Sequence, residues 1–250
     1  NHPLPPIPGG GEEKPTPGPT PEPTPGQKGK SRYIWIDAGG NFKDYANNSA
    51  KIASDVKRIK ETGFTDLVVD VRPTNGTVLF ASRQGEPLQK IDAWVNGSYV
   101  WLKRTANFDY LQAFIDAARE NGLRVNASIN TMVGGYLCPY GLGSDGPIFK
   151  DAKMKSWASV INTSDGLVNT MDLNDSSTDW GARFFNPANP DAQAYVLGLL
   201  ADLAKYDLDG IILDRCRYDD YSLQSDFSQE SRTQFEAYIG KSVKNWPTDV

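Results

Sequence analysis

From Ser31 onward the chain alternates short apolar runs with stretches in which apolar residues recur every three or four positions. "RYIWID" is a β-branched and aromatic run of strand type, and after it Ile52, Val56 and Ile59 share one helical face that ends at Gly63. "TDLVVDVRP" reads as a second buried strand, closed by Pro73. Leu111, Phe114, Ile115 and Ala118 mark a second helix, Gly122 caps it, and "LRVNASIN" supplies a third strand. Asn189 as N-cap with Pro190 at the first helical position opens a third helix, with Val196, Leu199, Leu200 and Leu203 inward. It leads into "DGIILD", an apolar run typical of a buried strand, and a last helix over about Gln229 to Ile239 ends at Gly240.

Strands that are apolar throughout, alternating with helices, predict an α/β fold with a parallel sheet covered by helices. One joint recurs in "KETGFTDLVVD", "RENGLRVNASI" and "AKYDLDGIILD": helix end, turn, buried strand. Functional groups in such folds collect at the carboxyl ends of the strands. Those ends carry Asp37 on the first strand, Asp70 and Arg72 on the second, Asn126 and Asn130 on the third, and Asp214, Arg215 and Arg217 on the fourth. Unpaired polar groups in or beside buried runs cost several kcal/mol, so their recurrence predicts one shared polar site.

Composition narrows the chemistry. With 39% hydrophobic and 23% charged residues over 250 positions, most of the chain can form a globular core. A net charge of -5 and a pI near 5.0 exclude a nucleic-acid or anionic-membrane surface. No apolar run approaches the roughly 18 residues of a spanning helix. The only histidine, His2, sits in the N-terminal spacer, which removes histidine-based triads and histidine-ligated zinc. Cys138 and Cys216 have no CxxC spacing and are expected to be plain thiols. Acid–base work therefore falls to carboxylates, with no cofactor and no metal expected. A calcium site from Asp214, Asp219, Asp220 and Asp226 is the weaker reading, because no EF-hand-like spacing is present.

Residues 1–30 form a Pro/Thr/Gly/Glu-rich spacer with almost nothing to bury, expected to be a disordered stalk ahead of a domain over residues 31–250. An exported protein, periplasmic or at the cell surface and lipid-anchored to a membrane through the stalk, accounts for such a segment. Within the domain, Val78 to Arg104 reads as a hairpin turning at Asn96-Gly97, with Trp94 and Trp101 expected to pack it against the fold rather than stack on sugars. The long Gly-, Ser- and Asn-rich loop over about Thr131 to Asn186 holds Tyr136, Tyr140, Phe149, Trp157 and Trp180, and loops of that length are usually functional.

The segments "RYIWIDAGGNF", "LVVDVRPTNGTVLFAS", "FDYLQAFIDAARENGLRVNASIN" and "FFNPANPDAQAYVLGLLADLAKYDLDGIILDRCRYDD" resemble, in order and spacing, the glycosyl hydrolase-like family 10 domains, from about Arg32 to the C-terminus. The block from NPANP to DRCRYDD is the most specific part. The resemblance implies an extracellular bacterial protein on a (β/α)8 TIM-type barrel, a carbohydrate substrate, and a functional aspartate at the end of the fourth strand, here Asp214. The chemistry agrees, since glycoside hydrolysis needs two facing carboxyl groups and no histidine. Asp214 is the candidate nucleophile or base, kept ionised by Arg215 or Arg217. Asp70, Asp37, Asp220 and Asp219 are candidates for the second carboxylate, and Arg72, Asn130, Arg215, Arg217, Tyr218 and Asp219 for substrate contacts. The alternative is a non-catalytic glycan-binding surface protein using the same cleft. A full barrel takes eight strands and roughly 250 residues, whereas only the first four βα units are evident before Asp214. The chain is thus expected to be the N-terminal part of a barrel whose remainder lies beyond Val250 or on a partner chain.

Overall fold

A computed structural model describes residues 30–138, 141–173, 181–220 and 222–250; the N-terminal spacer with His2, Tyr140 and Trp180 lie outside the described residues. The chain runs β1 (Tyr33–Ile36), α1 (Phe42–Tyr45), α2 (Ser49–Glu61) and β2 (Asp66–Arg72), then the hairpin β3 (Lys90–Val95) and β4 (Ser98–Lys103), α3 (Tyr110–Glu120) and β5 (Arg124–Asn130). After β5 come β6 (Val133–Cys138), β7 (Gly143–Asp145), the single turns α4 (Pro147–Lys150) and α5 (Ala152–Lys155), and the hairpin β8 (Val160–Thr163) and β9 (Gly166–Asn169). Finally β10 (Gly181–Phe184), α6 (Pro190–Leu203), β11 (Gly210–Asp214) and α7 (Gln229–Ile239) complete it.

The helices start where the sequence supplies side-chain acceptors for orphan amides. Asn48 accepts from Lys51, Asp109 from Gln112, Asn189 from Ala192 and Ser228 from Ser231. At the far end of α7, Gly240 takes a left-handed conformation with φ of 69° that side chains other than glycine rarely adopt.

Four parallel strands form the central sheet in the order β1-β2-β5-β11. Its two faces are chemically different because side chains alternate. Ile36, Leu67, Val69, Val71, Val125, Ala127 and Ile129 face the helices, in one core with Ile52 and Val56 of α2, Leu111 and Phe114 of α3, and Leu199 and Leu203 of α6. The opposite face presents Val68 and Asp70 of β2, Ser128 and Asn130 of β5, and Asp214, which stands level with Asn130; a register shift after Asp70 sets Arg72 opposite Ile129 instead. β2 is buried along its whole length. β11 differs from the expected buried strand: Ile211 and Leu213 are 36% and 47% exposed. Among the described residues β11 pairs only with β5 and β1 only with β2. No described strand covers either edge of the sheet, so an apolar run at its margin keeps contact with water.

The segment between β5 and α6 is built rather than loop-like. β10, β6 and β7 make a small antiparallel sheet, and β8 and β9 pair beside it. Glycine is needed at Gly146, whose φ is 110° and where a Cβ would lie 2.1 Å from the carbonyl oxygen of Asn75. Trp157 is buried against Phe185 and Tyr195, with centroid distances of 5.5 and 6.0 Å, so this aromatic is part of the core.

The NPANP segment is tied to the C-terminal region through Asp226. Its Oδ2 accepts from Asn186 Nδ2 at 2.6 Å and from the hydroxyls of Ser228 and Ser231 at 2.5 Å each, and its Oδ1 accepts from the Val160 amide at 2.8 Å. Both oxygens are spent on protein donors, so Asp226 is a structural clasp joining β8, the turn before α6 and the start of α7. Asp226→Ala is expected to lower unfolding free energy by at least ~3 kcal/mol, because buried donors lose a charged acceptor; urea denaturation followed by tryptophan fluorescence measures it.

Candidate functional site

The polar face of the sheet ends in a cleft of about 250 Å³ at the carboxyl ends of the strands. Trp35 and Asp37 line it from β1, Asp70 from β2, Ser128 and Asn130 from β5, and Asp214 and Arg215 from β11. The hairpin adds Ile91 and Asp92, and β6 adds Tyr136. The fold thus brings together Asp37, Asp70, Asn130, Asp214 and Arg215, which the sequence places on different strands.

Beneath the cleft lies Arg72, fully buried. Its guanidinium donates to the carbonyls of Asn130, Thr131 and Val133, and the Asn130 side chain donates back to the Arg72 carbonyl at 2.9 Å. The guanidinium carbon stands 6.0 Å from the centre of the Tyr195 ring. These carbonyls lie at the end of β5, in the turn that follows and at the start of β6. Arg72 therefore holds the floor of the cleft from below.

The three carboxylates have different settings. Asp37 is exposed, and its Oδ1 accepts from the Gly40 amide at 2.5 Å. Asp70 is 5% exposed and accepts from the Arg72 amide at 3.2 Å and from the Ala38 amide. Burial, then the charge of Asp37 and the weaker influence of Asp214, push its pKa up to about 7. Asp214 is exposed; its Oδ1 accepts from the Arg215 amide at 2.8 Å, and its carbonyl accepts from the Thr131 amide at 2.8 Å. Arg215 itself has a φ of 45°, a left-handed backbone unusual for a residue with a side chain, directly beside Asp214.

Other residues read from the sequence stand elsewhere. The expected guanidinium partners of Asp214 are not its hydrogen-bond donors: the Arg215 main chain fills that role, while Arg217 pairs with Asp220 at 3.2 Å, donates to the Tyr218 carbonyl and lies 5.0 Å from the centre of the Phe184 ring. Arg72, Arg217, Tyr218, Asp219 and Asp220 do not line the cleft. Asp219 is buried and Asp220 is exposed. Among the described residues, no three His, Cys, Asp or Glu side chains converge as metal ligands. Cys138 is a buried free thiol whose pKa burial raises to about 12, so it stays protonated.

Two cleft residues escaped the sequence reading. Trp35 belongs to a run expected to be a buried strand, yet it is 48% exposed and lines the cleft. Asp92 lies in a hairpin read as packing structure; burial raises its pKa, with a further push from Asp145. Its signal in the sequence is only a carboxylate at alternate spacing with Trp94.

A family model described as Glycosyl hydrolase-like 10 matches residues 30–249. An S-layer-related protein from Niallia circulans is 30% identical over 231 residues, which cover 89% of this chain and 13% of that protein. Among solved structures, alpha-L-fucosidase isoenzyme 2 from Paenibacillus thiaminolyticus is similar with a TM-score of 0.54 and 18% identity, over 86% of this chain and 27% of its own. The last likeness is one of fold. The chain spans a small part of both proteins.

Two outcomes test the geometry. Arg72→Met should cost at least ~3 kcal/mol in a urea titration, since several buried carbonyls lose their donors. For Asp70 the folded state holds its proton up to about pH 7 while the unfolded chain releases it near 3.8. The stabilising effect of the raised pKa is full below the unfolded value and is lost as pH rises toward the folded one. Asp70→Asn should therefore gain stability relative to the parent between these two values, by up to ~1.4 kcal/mol per pH unit. Denaturant titrations across that range measure the difference.

Proposed function

The chain belongs to the glycosyl hydrolase-like 10 family, and on that basis we propose that it is a glycoside hydrolase whose reaction is carried by Asp214 and Asp70. The observation that carries this reading is a pair of carboxyls lining one cleft in opposed environments, Asp214 exposed at its end and Asp70 buried and protonated up to about pH 7. Two carboxyls whose surroundings separate their protonation states divide naturally into a base and an acid. In the proposed reaction Asp70 gives its proton to the glycosidic oxygen as the bond from that oxygen to the anomeric carbon breaks. The Asp214 carboxylate stabilises the positive charge on the sugar, either bonding to the anomeric carbon or taking a proton from the attacking water. Asn130 and Arg215, beside Asp214 in the cleft, offer donors to sugar hydroxyls.

The four parallel strands are read here as the first half of a (β/α)8 barrel, completed by strands from the rest of the protein or from a partner chain. Half-exposed Ile211 and Leu213 on an open edge support that reading, because such an edge is poorly suited to water. A surface location, with the residue 1–30 segment as a spacer to a lipid anchor, is in keeping with a relative named S-layer-related.

One observation favours a second reading, a glycan-binding surface protein without turnover: Asp70 is 5% exposed and hydrogen-bonded to backbone amides, which limits its reach to a bound bond. The two readings separate on Asp214→Asn. For the hydrolase, kcat should fall about 10³-fold with the fold retained, and the parent should lose activity as pH rises through about 7, where Asp70 ionises. Product detection by mass spectrometry on a glycan panel reads both. Undiminished activity in Asp214→Asn removes the assignment, and sugar binding by both proteins with no product from either establishes the binding role.

A further inference from the structure

We propose that the β3–β4 hairpin carries a binding track for a carbohydrate chain, leading from the carboxylate cleft past Tyr136 and Tyr99 to Trp94, so that the ligand is a polysaccharide rather than a single sugar. This rests on the carbohydrate reading of the cleft and extends it.

The hairpin has two unlike faces. Ile91 and Leu102, a cross-strand pair, belong to the core side: Ile91 is part of the core cluster and Leu102 packs against it. The other face carries the pairs Asp92↔Trp101 and Trp94↔Tyr99. Packing of the hairpin by its tryptophans was the expectation from sequence; instead the aliphatic pair anchors it and Trp94 is 61% exposed. Keeping a ring of that size in water forgoes the free energy of burying it, and the core does not use it.

The exposed ring is held in place and is continuous with the cleft. Trp94 meets Tyr99 edge to face, with centroids 5.2 Å apart and planes at 73°. Asp92, on the same face, lines the cleft together with Tyr136. Asp92 and Trp94 are two residues apart on the same face of β3, so the exposed ring stands about 7 Å along the strand from the cleft wall. Trp101 is not part of the track, because the Lys90 ammonium sits 3.8 Å from its ring centre and covers it. The track is thus made of aromatic faces with a carboxylate and phenol hydroxyls between them. A sugar ring matches this composition: its C–H face packs on an aromatic, and its hydroxyls pair with carboxylate and phenol oxygens. Successive sugars of one chain would meet Tyr136, Tyr99 and Trp94 in turn as they leave the cleft.

The test uses the full chain with Asp214→Asn, so that turnover does not consume the ligand, on an array of cello-, chito-, malto- and xylo-oligosaccharides from disaccharide to octasaccharide. Affinity for one series should rise with chain length. Adding Trp94→Ala should lower the octasaccharide affinity about tenfold, the loss of one well-packed aromatic contact, and leave the disaccharide unchanged. Trp94→Phe, which keeps a ring, should retain most of the length dependence, and this separates loss of stacking from a misfolded hairpin. Affinity that is the same at every length, or an octasaccharide affinity untouched by Trp94→Ala, overturns the track while leaving the cleft a sugar site. No binding to any series overturns the track and the carbohydrate reading together.

Discussion

The buried guanidinium of Arg72 is the constraint on which the site depends. A parallel sheet satisfies its own backbone along the strands but not where a strand turns away, and the turn from β5 into β6 leaves carbonyls at Asn130, Thr131 and Val133 facing inward. A hydrogen-bonded charge can meet several such acceptors at once, at a desolvation cost that is repaid only if the donors are well used. The same turn is bound from the other side by β11, through the Thr131 amide to the Asp214 carbonyl and the Met132 amide to the Arg215 carbonyl. Asp214 is therefore placed by backbone bonds anchored to the turn that Arg72 supports, and the left-handed Arg215 beside it marks where the chain leaves the strand.

Above that floor the electrostatics follow from crowding. Asp70 gains two backbone donors, from Arg72 and Ala38, yet burial and the nearby Asp37 and Asp214 outweigh them and its proton is held to about pH 7. The cleft therefore sets a buried carboxyl that keeps its proton to about pH 7 beside two exposed ones, and the proposed division into acid and base rests on that asymmetry.

The segments with the most specific sequence pattern divide into those that build and those that face the cleft. In the run from NPANP to DRCRYDD, Asn186 binds Asp226, Asn189 caps α6, Arg217 pairs with Asp220, and Asp214 with Arg215 reaches the cleft. A distinctive motif here is mostly architecture that carries one aspartate to its position.

Local rules determine what could be read along the chain. Short apolar runs and helical spacing marked the four sheet strands and their helices, Asn189 with Pro190 and Gly240 marked helix ends, and of the polar residues read as strand tips Asp37, Asp70, Asn130, Asp214 and Arg215 meet in the cleft while Arg72, Asn126 and Arg217 do not. These features depend on neighbours within a few residues, so the sequence contains them directly. The tertiary structure alone decided the rest. Arg72 and Asp70 are two residues apart in sequence, yet one becomes a buried strut and the other lines the cleft, because the register shift between them sets Asp70 beside Ser128 and Arg72 beside Ile129. The apolar run of β11 is half exposed because no further strand covers its edge among the described residues, and Trp94 faces water because Ile91 and Leu102 already supply the hairpin's anchor. Which side of a strand meets protein and which meets solvent is set by elements distant in sequence, and periodicity within one element carries no record of them.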